Sequence, residues 1–150
     1  MTEQQKTVIF DLDGTLALVE HRRHLVRCEK PDWPAFFRAC VDDEPNLPVI
    51  AAMKAHLQAG HRVEVWSGRS DEVFDETDHW FLMNLPTECL GFPIRMRPEG
   101  DYTPDEELKA RWLAEIGPEN VLCAYDDRDK VVAMWRSHGV ACFQVAPGDF

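Results

Sequence analysis

Two aspartates, Asp11 and Asp13, follow the apolar run 8–10 and precede Gly14 and Thr15. Side chains alternate along a β-strand, so carboxylates two residues apart point to the same side. Gly14 tolerates the backbone angles of a sharp turn, and ligands of open α/β sheets bind at the carboxyl ends of strands. Such a pair can share a divalent metal, or divide the nucleophilic and acid–base roles of phosphoryl transfer. A solvated acidic turn is the alternative, and the apolar strand and the Gly-Thr turn disfavour it.

Three further sets of polar residues along the chain could also bind a ligand or a cation. Ser67-Gly68-Arg69 follows an apolar run, where its hydroxyl and backbone N–H groups can hold phosphate oxygens or form a simple turn. Lys109 and Asp105 lie one turn apart on one face of a predicted helix, as in a surface ion pair. Asp126 and Asp127 follow another apolar run, where adjacent acids can cap a helix or ligate a hard cation.

Strand and helix signals alternate, which predicts an α/β fold with a mainly parallel sheet and helices on both faces. We predict strands over 7–11, 63–67, 92–96, 121–125 and 140–145, and helices over 48–59, 71–84, 104–116 and 129–138. Thr103 and Glu106 have the spacing of a capping box, with Pro104 at the first helical position.

The segment 17–46 separates the first strand from its crossover helix and is unusually long. Loops of this length in compact domains are often lids or binding elements. We expect Trp33, Phe36 and Phe37 within it to pack as a small core, with an aromatic wall for a flat ligand as the alternative. The length of 150 residues otherwise predicts a single domain, 1–150, that includes this small cap or lid.

The net charge of −11, from 27 acidic and 16 basic residues, argues against a broad nucleic-acid footprint but permits a small phosphorylated ligand. Basic residues do cluster at 21–24 with Arg27, and at Arg95 and Arg97.

No apolar run approaches the ~20 residues that span a bilayer, and residues 1–6 lack the apolar core of a signal peptide. Five cysteines without Cys-x-x-Cys spacing indicate free thiols. We therefore predict a cytoplasmic protein without membrane contact.

These motifs occur in the order found in the haloacid dehalogenase (HAD) superfamily, which the sequence resembles over essentially its whole length. Residues 67–69, 95–101, 126–128 and 134–150 more narrowly resemble the phosphatase domain of phage polynucleotide kinase–phosphatase. The chain contains no Gly-x-x-x-x-Gly-Lys-Ser/Thr motif for a nucleotide-binding loop. We therefore expect any kinase or ligase to be a separate partner.

The resemblance implies a Rossmann-like three-layer sandwich and a Mg²⁺-dependent phosphomonoesterase. In this family pattern Asp11 attacks phosphorus and forms an aspartyl-phosphate, while Asp13 acts first as acid and then as base. The resemblance also implies Mg²⁺ between the Asp11 carboxylate, the Asp13 backbone carbonyl and Asp126, supported by Asp127.

The same resemblance puts Ser67 and Lys109 on the phosphate oxygens, with Asp105 orienting Lys109. Substrate contacts are implied for five residues: Thr15, Arg22, Gly68, Arg69 and Asp105. The implied substrate is the 3′-phosphate of a nucleotide or of a nucleic acid end. Two alternatives remain open, a 5′-nucleotidase or small-metabolite phosphatase and a non-catalytic binding subunit of a separate kinase.

Overall fold

The structure is a computed structural model that describes residues 5–150. Its strands, numbered in chain order, are β1 (Thr7–Phe10), β2 (Ala17–Leu18), β3 (Glu44–Pro45), β4 (Arg62–Ser70), β5 (Ile94–Arg97), β6 (Val121–Asp126) and β7 (Cys142–Gln144). Five of them form a parallel sheet in the order β5-β4-β1-β6-β7, and β2 pairs with β3 in an antiparallel ribbon. The predicted α/β class with a parallel central sheet is confirmed.

The α-helices are α1 (Trp33–Arg38), α2 (Leu47–Gln58), α3 (Phe74–Asn84), α4 (Asp105–Ile116) and α5 (Asp129–Ser137). Short 3₁₀ helices cover Glu20–Leu25, Ala39–Asp42, Asp71–Val73, Thr87–Cys89 and Pro118–Asn120. Helices α2 and α3 bury Met53 and Trp80 with one face of the sheet, and α4 and α5 bury Leu113 and Trp135 with the other. The result is a three-layer sandwich.

Strand β1 is central because it is apolar on both faces. Val8 and Phe10 point into the core under α2 and α3, while Ile9 points into the opposite core. Its neighbours β4 and β6 run parallel to it. Since the carboxyl ends of parallel strands meet at one edge, the residues after β1 and at the ends of β4 and β6 come together there.

The predicted capping box at the start of α4 is wrong. Pro104, with φ −53° and ψ 145°, is not helical, and the helix begins one residue later, at Asp105. Thr103 therefore lies outside the helix, where its N–H donates to the Asp101 side chain at 2.9 Å and its carbonyl accepts from Arg97. The Thr103 N–H, which a capping box would have paired with Glu106, is thus bonded to Asp101 instead.

The segment 17–46 is closed at its base by the β2–β3 ribbon and contains α1 and two 3₁₀ helices. The rings of Trp33, Phe36 and Phe37 contact one another with centroids 5.6–6.0 Å apart. Phe36 is buried, whereas Trp33 is half exposed. The predicted small core is therefore formed mainly by Phe36, whose ring lies 4.3 Å from the Arg22 guanidinium.

Within residues 5–150 the five cysteines are unpaired, and all except Cys28 are buried. No helix among these residues is long and apolar enough to cross a membrane.

Candidate active site

Three buried carboxylates converge at the ends of two neighbouring strands. Asp11 follows β1, Asp126 ends β6, and Asp127 comes next. One ligand oxygen from each lies within 4.8 Å of the other two. Burial and the nearby Asp126 raise the pKa of Asp11 well above its ordinary value, and the same two causes raise the pKa of Asp127 to about 6. The group therefore concentrates negative charge that requires a cation.

Lys109, in α4, supplies one such cation. Its Nζ donates to Asp11 Oδ1 and to Asp126 Oδ2, both at 2.8 Å. Burial alone would lower the pKa of Lys109, but the two carboxylates outweigh it and raise that pKa above its ordinary value. One ammonium group facing three carboxylates leaves this carboxylate trio (Asp11, Asp126 and Asp127) with an excess of negative charge.

The carboxylate trio fits a hard divalent cation. Both Asp127 side-chain oxygens are buried and lack a hydrogen-bond partner within residues 5–150. An unpartnered buried carboxylate is costly unless a cation takes its oxygens, and Mg²⁺ prefers such ligands. Gly14 makes room for Asp127, because a Cβ at this residue, whose φ is +82°, would fall on the Asp127 carboxylate. The requirement for glycine in the Asp-x-Asp-Gly turn is therefore both conformational and steric.

Asp13 belongs to a second charged cluster beside the carboxylate trio. Its Oδ1 accepts from Arg22 at 2.7 Å and from Arg69 at 2.5 Å. Burial would raise the pKa of Asp13, but the two guanidiniums lower it to about 2. The ionised Asp13 therefore stabilises the fold fully above its ordinary pKa of 3.8, and that contribution is lost as the pH falls through about 2.

Asp43 holds the two arginines from the other side, and sequence reasoning missed it. Its oxygens accept from Arg22 Nε at 2.8 Å, from Arg22 Nη2 at 2.7 Å and from Arg69 at 3.3 Å. The side chain of Asp43 is fully buried although it stands in the acidic run 42–44, which reads locally as a solvated surface. Charge balance could have pointed to Asp43, because two buried arginines require more than one carboxylate partner.

We predict that Asp43→Asn lowers the free energy of unfolding by about 3–5 kcal/mol, because it removes one charge of a buried ion-pair network. Urea denaturation measures this change. Asp42→Asn, at the exposed neighbouring position, is the matched control and should stay within about 0.5 kcal/mol of wild type. Equal and small effects of the two substitutions would contradict the assigned network.

The remaining expected residues surround the same edge of the sheet. Thr15 is buried and donates to Asp11 Oδ2 at 3.0 Å. Ser67 is buried near the end of β4, and its Oγ accepts from the Arg69 backbone N–H at 3.0 Å. A Cβ at Gly68 would fall on the Asp105 carboxylate, so this glycine permits a close approach between the loop and α4. The sequence-predicted residues are thus brought into one region.

Asp105 does not bind Lys109 as expected. Its two oxygens accept instead from Arg97 and, at 2.7 Å, from Arg128. Arg97 also donates from Nε to the Gly68 carbonyl at 2.8 Å. Lys109 does not pair with Asp105 because its long side chain reaches the deeper Asp11 and Asp126. The two planar guanidiniums occupy the Asp105 oxygens instead. Asp105 therefore holds the loop at Gly68 through Arg97.

Comparison with known proteins gives one nearly complete family match and several similar structures. Residues 5–150 match the family described as Polynucleotide kinase PNKP phosphatase domain. A relative from Autographa californica nuclear polyhedrosis virus, described as a bifunctional polynucleotide kinase/RNA ligase, is 30% identical over 134 residues. The match covers 87% of this chain and only 18% of that relative.

A chain of the solved Pnkp1/Rnl/Hen1 RNA repair complex superposes with a TM-score of 0.82 at 31% identity, over 100% of this chain and 45% of its own length. CbbY from Rhodobacter sphaeroides, solved with phosphate, shares the fold with a TM-score of 0.62 at 16% identity, covering 97% of this chain and 87% of that one. The chain thus spans less than half the length of the viral relative and of the chain from the RNA repair complex. Because the family match extends over almost every residue, this chain belongs to the family of polynucleotide kinase phosphatase domains, within the HAD superfamily of phosphatases.

Proposed function

We propose that this chain is a Mg²⁺-dependent 3′-phosphatase that removes the terminal phosphoryl group of nucleotides or nucleic acid ends through an aspartyl-phosphate on Asp11. The observation that carries the proposal is the convergence of Arg22 and Arg69 on one oxygen of Asp13, next to the carboxylate trio. Two guanidiniums aimed at one anionic position beside a carboxylate nucleophile suit a phosphate. The 3′ specificity is supported by the resemblance of the motifs to polynucleotide phosphatases.

The nucleophile in this proposal is held by its neighbours. Lys109 binds Asp11 Oδ1 and Thr15 binds Asp11 Oδ2, so the carboxylate has a fixed orientation. Asp11 attacks phosphorus, a bond forms between its oxygen and phosphorus, and the bond from phosphorus to the ribose 3′ oxygen breaks. The leaving oxygen takes a proton and departs as the 3′-hydroxyl.

Asp13 would donate that proton only after the phosphate has arrived. In the free protein the arginines hold the pKa of Asp13 at about 2, so its carboxylate is ionised at neutral pH. A phosphate competes with Asp13 for Arg22 and Arg69, and losing these partners raises the pKa of Asp13. With its pKa raised, Asp13 takes up a proton from solvent and passes it to the leaving oxygen, and it afterwards accepts a proton from the water that hydrolyses the aspartyl-phosphate.

Asp11, Asp126 and Asp127 would hold the cation, together with the backbone carbonyl of Asp13. When bound, Mg²⁺ supplies positive charge that keeps Asp11 ionised and offsets its repulsion of the phosphate. The unpartnered oxygens of Asp127 support this assignment. The family pattern puts Ser67 and Lys109 on the phosphate oxygens, and the burial of both side chains is consistent with contacts deep in the site.

We predict that Mg²⁺ stabilises the wild-type protein by about 2.7 kcal/mol at a concentration one hundred times its Kd, and that Asp127→Asn loses most of this gain. Thermal unfolding with Mg²⁺ or with EDTA measures both. Without metal at pH 8 the variant should be at least as stable as wild type, because the raised pKa of Asp127 means that its charge opposes folding above pH 6. Asp129→Asn, at an exposed carboxylate two residues away, is the control. A full Mg²⁺ response in Asp127→Asn would contradict the cation site.

The activity itself is tested with a substrate panel in Mg²⁺: 3′-mononucleotides, 3′-phosphorylated oligonucleotides, 5′-mononucleotides and sugar phosphates. We expect the two 3′-phosphates to be hydrolysed with the highest kcat/KM. Preference for 5′-mononucleotides or sugar phosphates would favour the alternative phosphatases. Hydrolysis of none of them would favour a non-catalytic subunit.

We also propose that this phosphatase acts beside a separate kinase or ligase. The support is that one relative is described as a bifunctional polynucleotide kinase/RNA ligase and another is part of an RNA repair complex.

A further inference from the structure

Three arginines surround the ring of Phe150. The guanidinium carbons of Arg23, Arg27 and Arg128 lie 4.8, 5.3 and 5.2 Å from the ring centroid. Arg23 and Arg27 come from the 17–46 segment, whereas Arg128 follows β6, so the ring joins the insert to the body of the domain. We call Arg23, Arg27, Arg128 and Phe150 the arginine–Phe150 cluster.

The arginine–Phe150 cluster is joined to the candidate active site through Arg128 and Arg23. Arg128 directly follows Asp127 of the carboxylate trio and is held by Asp105. Arg23 directly follows Arg22, whose guanidinium pairs with Asp13. A substrate whose terminal phosphate lies at Arg22 would therefore have its next groups close to this cluster.

The positive charge of Arg23 and Arg27 is poorly neutralised, whereas Arg128 pairs with Asp105 at 2.7 Å and donates from Nε to the Phe150 carbonyl at 3.0 Å. Arg27 is exposed and forms no ion pair within the described residues, and Arg23 pairs only with the exposed Glu20, at 3.2 Å. An exposed pair of this kind is screened by water and contributes little. Cation–π contacts with one ring hold the guanidiniums together but leave their charge in place. An anion is the ligand that this arrangement lacks.

The net charge of the chain indicates which kind of anion the arginine–Phe150 cluster can bind. At −11 the chain repels a polyanion overall, so broad contact with a nucleic acid backbone is disfavoured. A compact subsite for a single phosphate next to the active site avoids this conflict. A substrate with two phosphates, one at each end of the terminal nucleoside, would meet both Arg22 and the arginine–Phe150 cluster.

We propose that Arg23 and Arg27 bind the second phosphate of the substrate, on the 5′ side of the terminal nucleoside, and that Phe150 is a positioning residue that holds them beside Arg128. The inference rests on the proposed function, because it assumes that the first phosphate is the 3′-phosphate cleaved at Asp11. The second phosphate is either a phosphodiester of a strand or the 5′-phosphate of a nucleoside 3′,5′-bisphosphate.

The test compares kcat and KM for three substrates: a nucleoside 3′-monophosphate, the matching 3′,5′-bisphosphate and a 3′-phosphorylated trinucleotide. We expect Arg27→Ala to raise KM for the substrates with a second phosphate about ten- to a hundredfold more than for the monophosphate, since it removes a charge-assisted contact. Arg95→Ala is the matched control, since Arg95 also lies over an aromatic ring, Trp66, and pairs with Glu115 at 2.5 Å. Arg95 borders a surface cavity with Thr7 and Asn120, at the amino ends of the strands and away from the active site.

Phe150→Ala should reproduce the selective rise in KM, and Phe150→Tyr should restore the wild-type value because it keeps the ring. A selective effect on the trinucleotide alone identifies the phosphodiester as the ligand, and an effect on both identifies any 5′-phosphate. Equal losses on all three substrates, or no loss on any, would overturn the subsite. A wild-type protein that hydrolyses none of the three would overturn the proposed function, and the subsite with it.

Discussion

Asp11→Asn is expected to lower kcat by roughly 10⁴-fold or more, because the amide cannot attack phosphorus. The fold should survive: burial and Asp126 raise the pKa of Asp11, so a neutral side chain relieves repulsion in the carboxylate trio. Lys109 keeps its bond to Asp126 in this variant. Single-substrate kinetics and thermal unfolding measure the two effects.

Asp78→Asn, at an exposed position on α3, is the control for this variant and should retain wild-type kcat. If Asp11→Asn kept a tenth or more of wild-type activity, covalent catalysis by Asp11 would be wrong. If it lost its fold instead, the assigned repulsion within the carboxylate trio would be wrong.

Lys109→Gln is expected to abolish activity and to lower the free energy of unfolding by about 3–5 kcal/mol at pH 8, because it removes the cation that faces Asp11 and Asp126. The loss should shrink at lower pH. Asp127, whose pKa is already raised to about 6, becomes protonated as the pH falls below that value, and the repulsion that Lys109 offset is relieved. Urea denaturation at pH 8 and pH 5, in EDTA, measures the difference.

Lys54→Gln is the matched control, because Lys54 forms an exposed pair with Glu88 at 2.8 Å and should contribute little at either pH. Added Mg²⁺ should recover part of the stability of Lys109→Gln, since a second cation then neutralises the carboxylate trio. A deficit that is the same at pH 5 and pH 8 would contradict the role assigned to Lys109.

The fold and the carboxylate trio could be predicted from sequence because both follow from local patterns. Apolar strands alternating with amphipathic helices predict a parallel sheet, and the carboxyl ends of such strands meet at one edge. The resemblance to the HAD superfamily implied that Asp11 and Asp126 share a metal, and in the structure they follow or end adjacent strands. The strand and helix bounds differ by a few residues, as at β4, which extends from Arg62 to Ser70.

Contacts made by the insert could not be predicted in the same way. Asp43 and Arg22 are 21 residues apart, and nothing in their local sequence separates a buried ion pair from solvated charges. The partners of Asp105 also depend on tertiary contacts, because Arg97 and Arg128 come from β5 and from the loop after β6. Helical spacing and the family resemblance both suggested Lys109 as the partner of Asp105, whereas in the structure Lys109 reaches the deeper Asp11 and Asp126.

Arg22 has a structural role in addition to the substrate contact proposed for it. Besides Asp13 and Asp43, its Nη1 donates to the Phe36 carbonyl at 3.1 Å, and the side chain is buried. Arg22 therefore ties the insert to the first motif before any substrate binds. In the proposed mechanism the same guanidinium then exchanges Asp13 for a phosphate oxygen, which couples substrate binding to the proton transfer.

The covalent intermediate on Asp11 is tested most directly by acid-quenching the wild-type protein during turnover of a 3′-phosphorylated oligonucleotide and mapping phosphoryl groups by peptide mass spectrometry. The expected result is one phosphoryl group on Asp11, removed by hydroxylamine as an acyl phosphate would be, and absent from Asp11→Asn. Rapid turnover with no phosphorylated peptide, or a phosphoryl group on another residue, would contradict the mechanism.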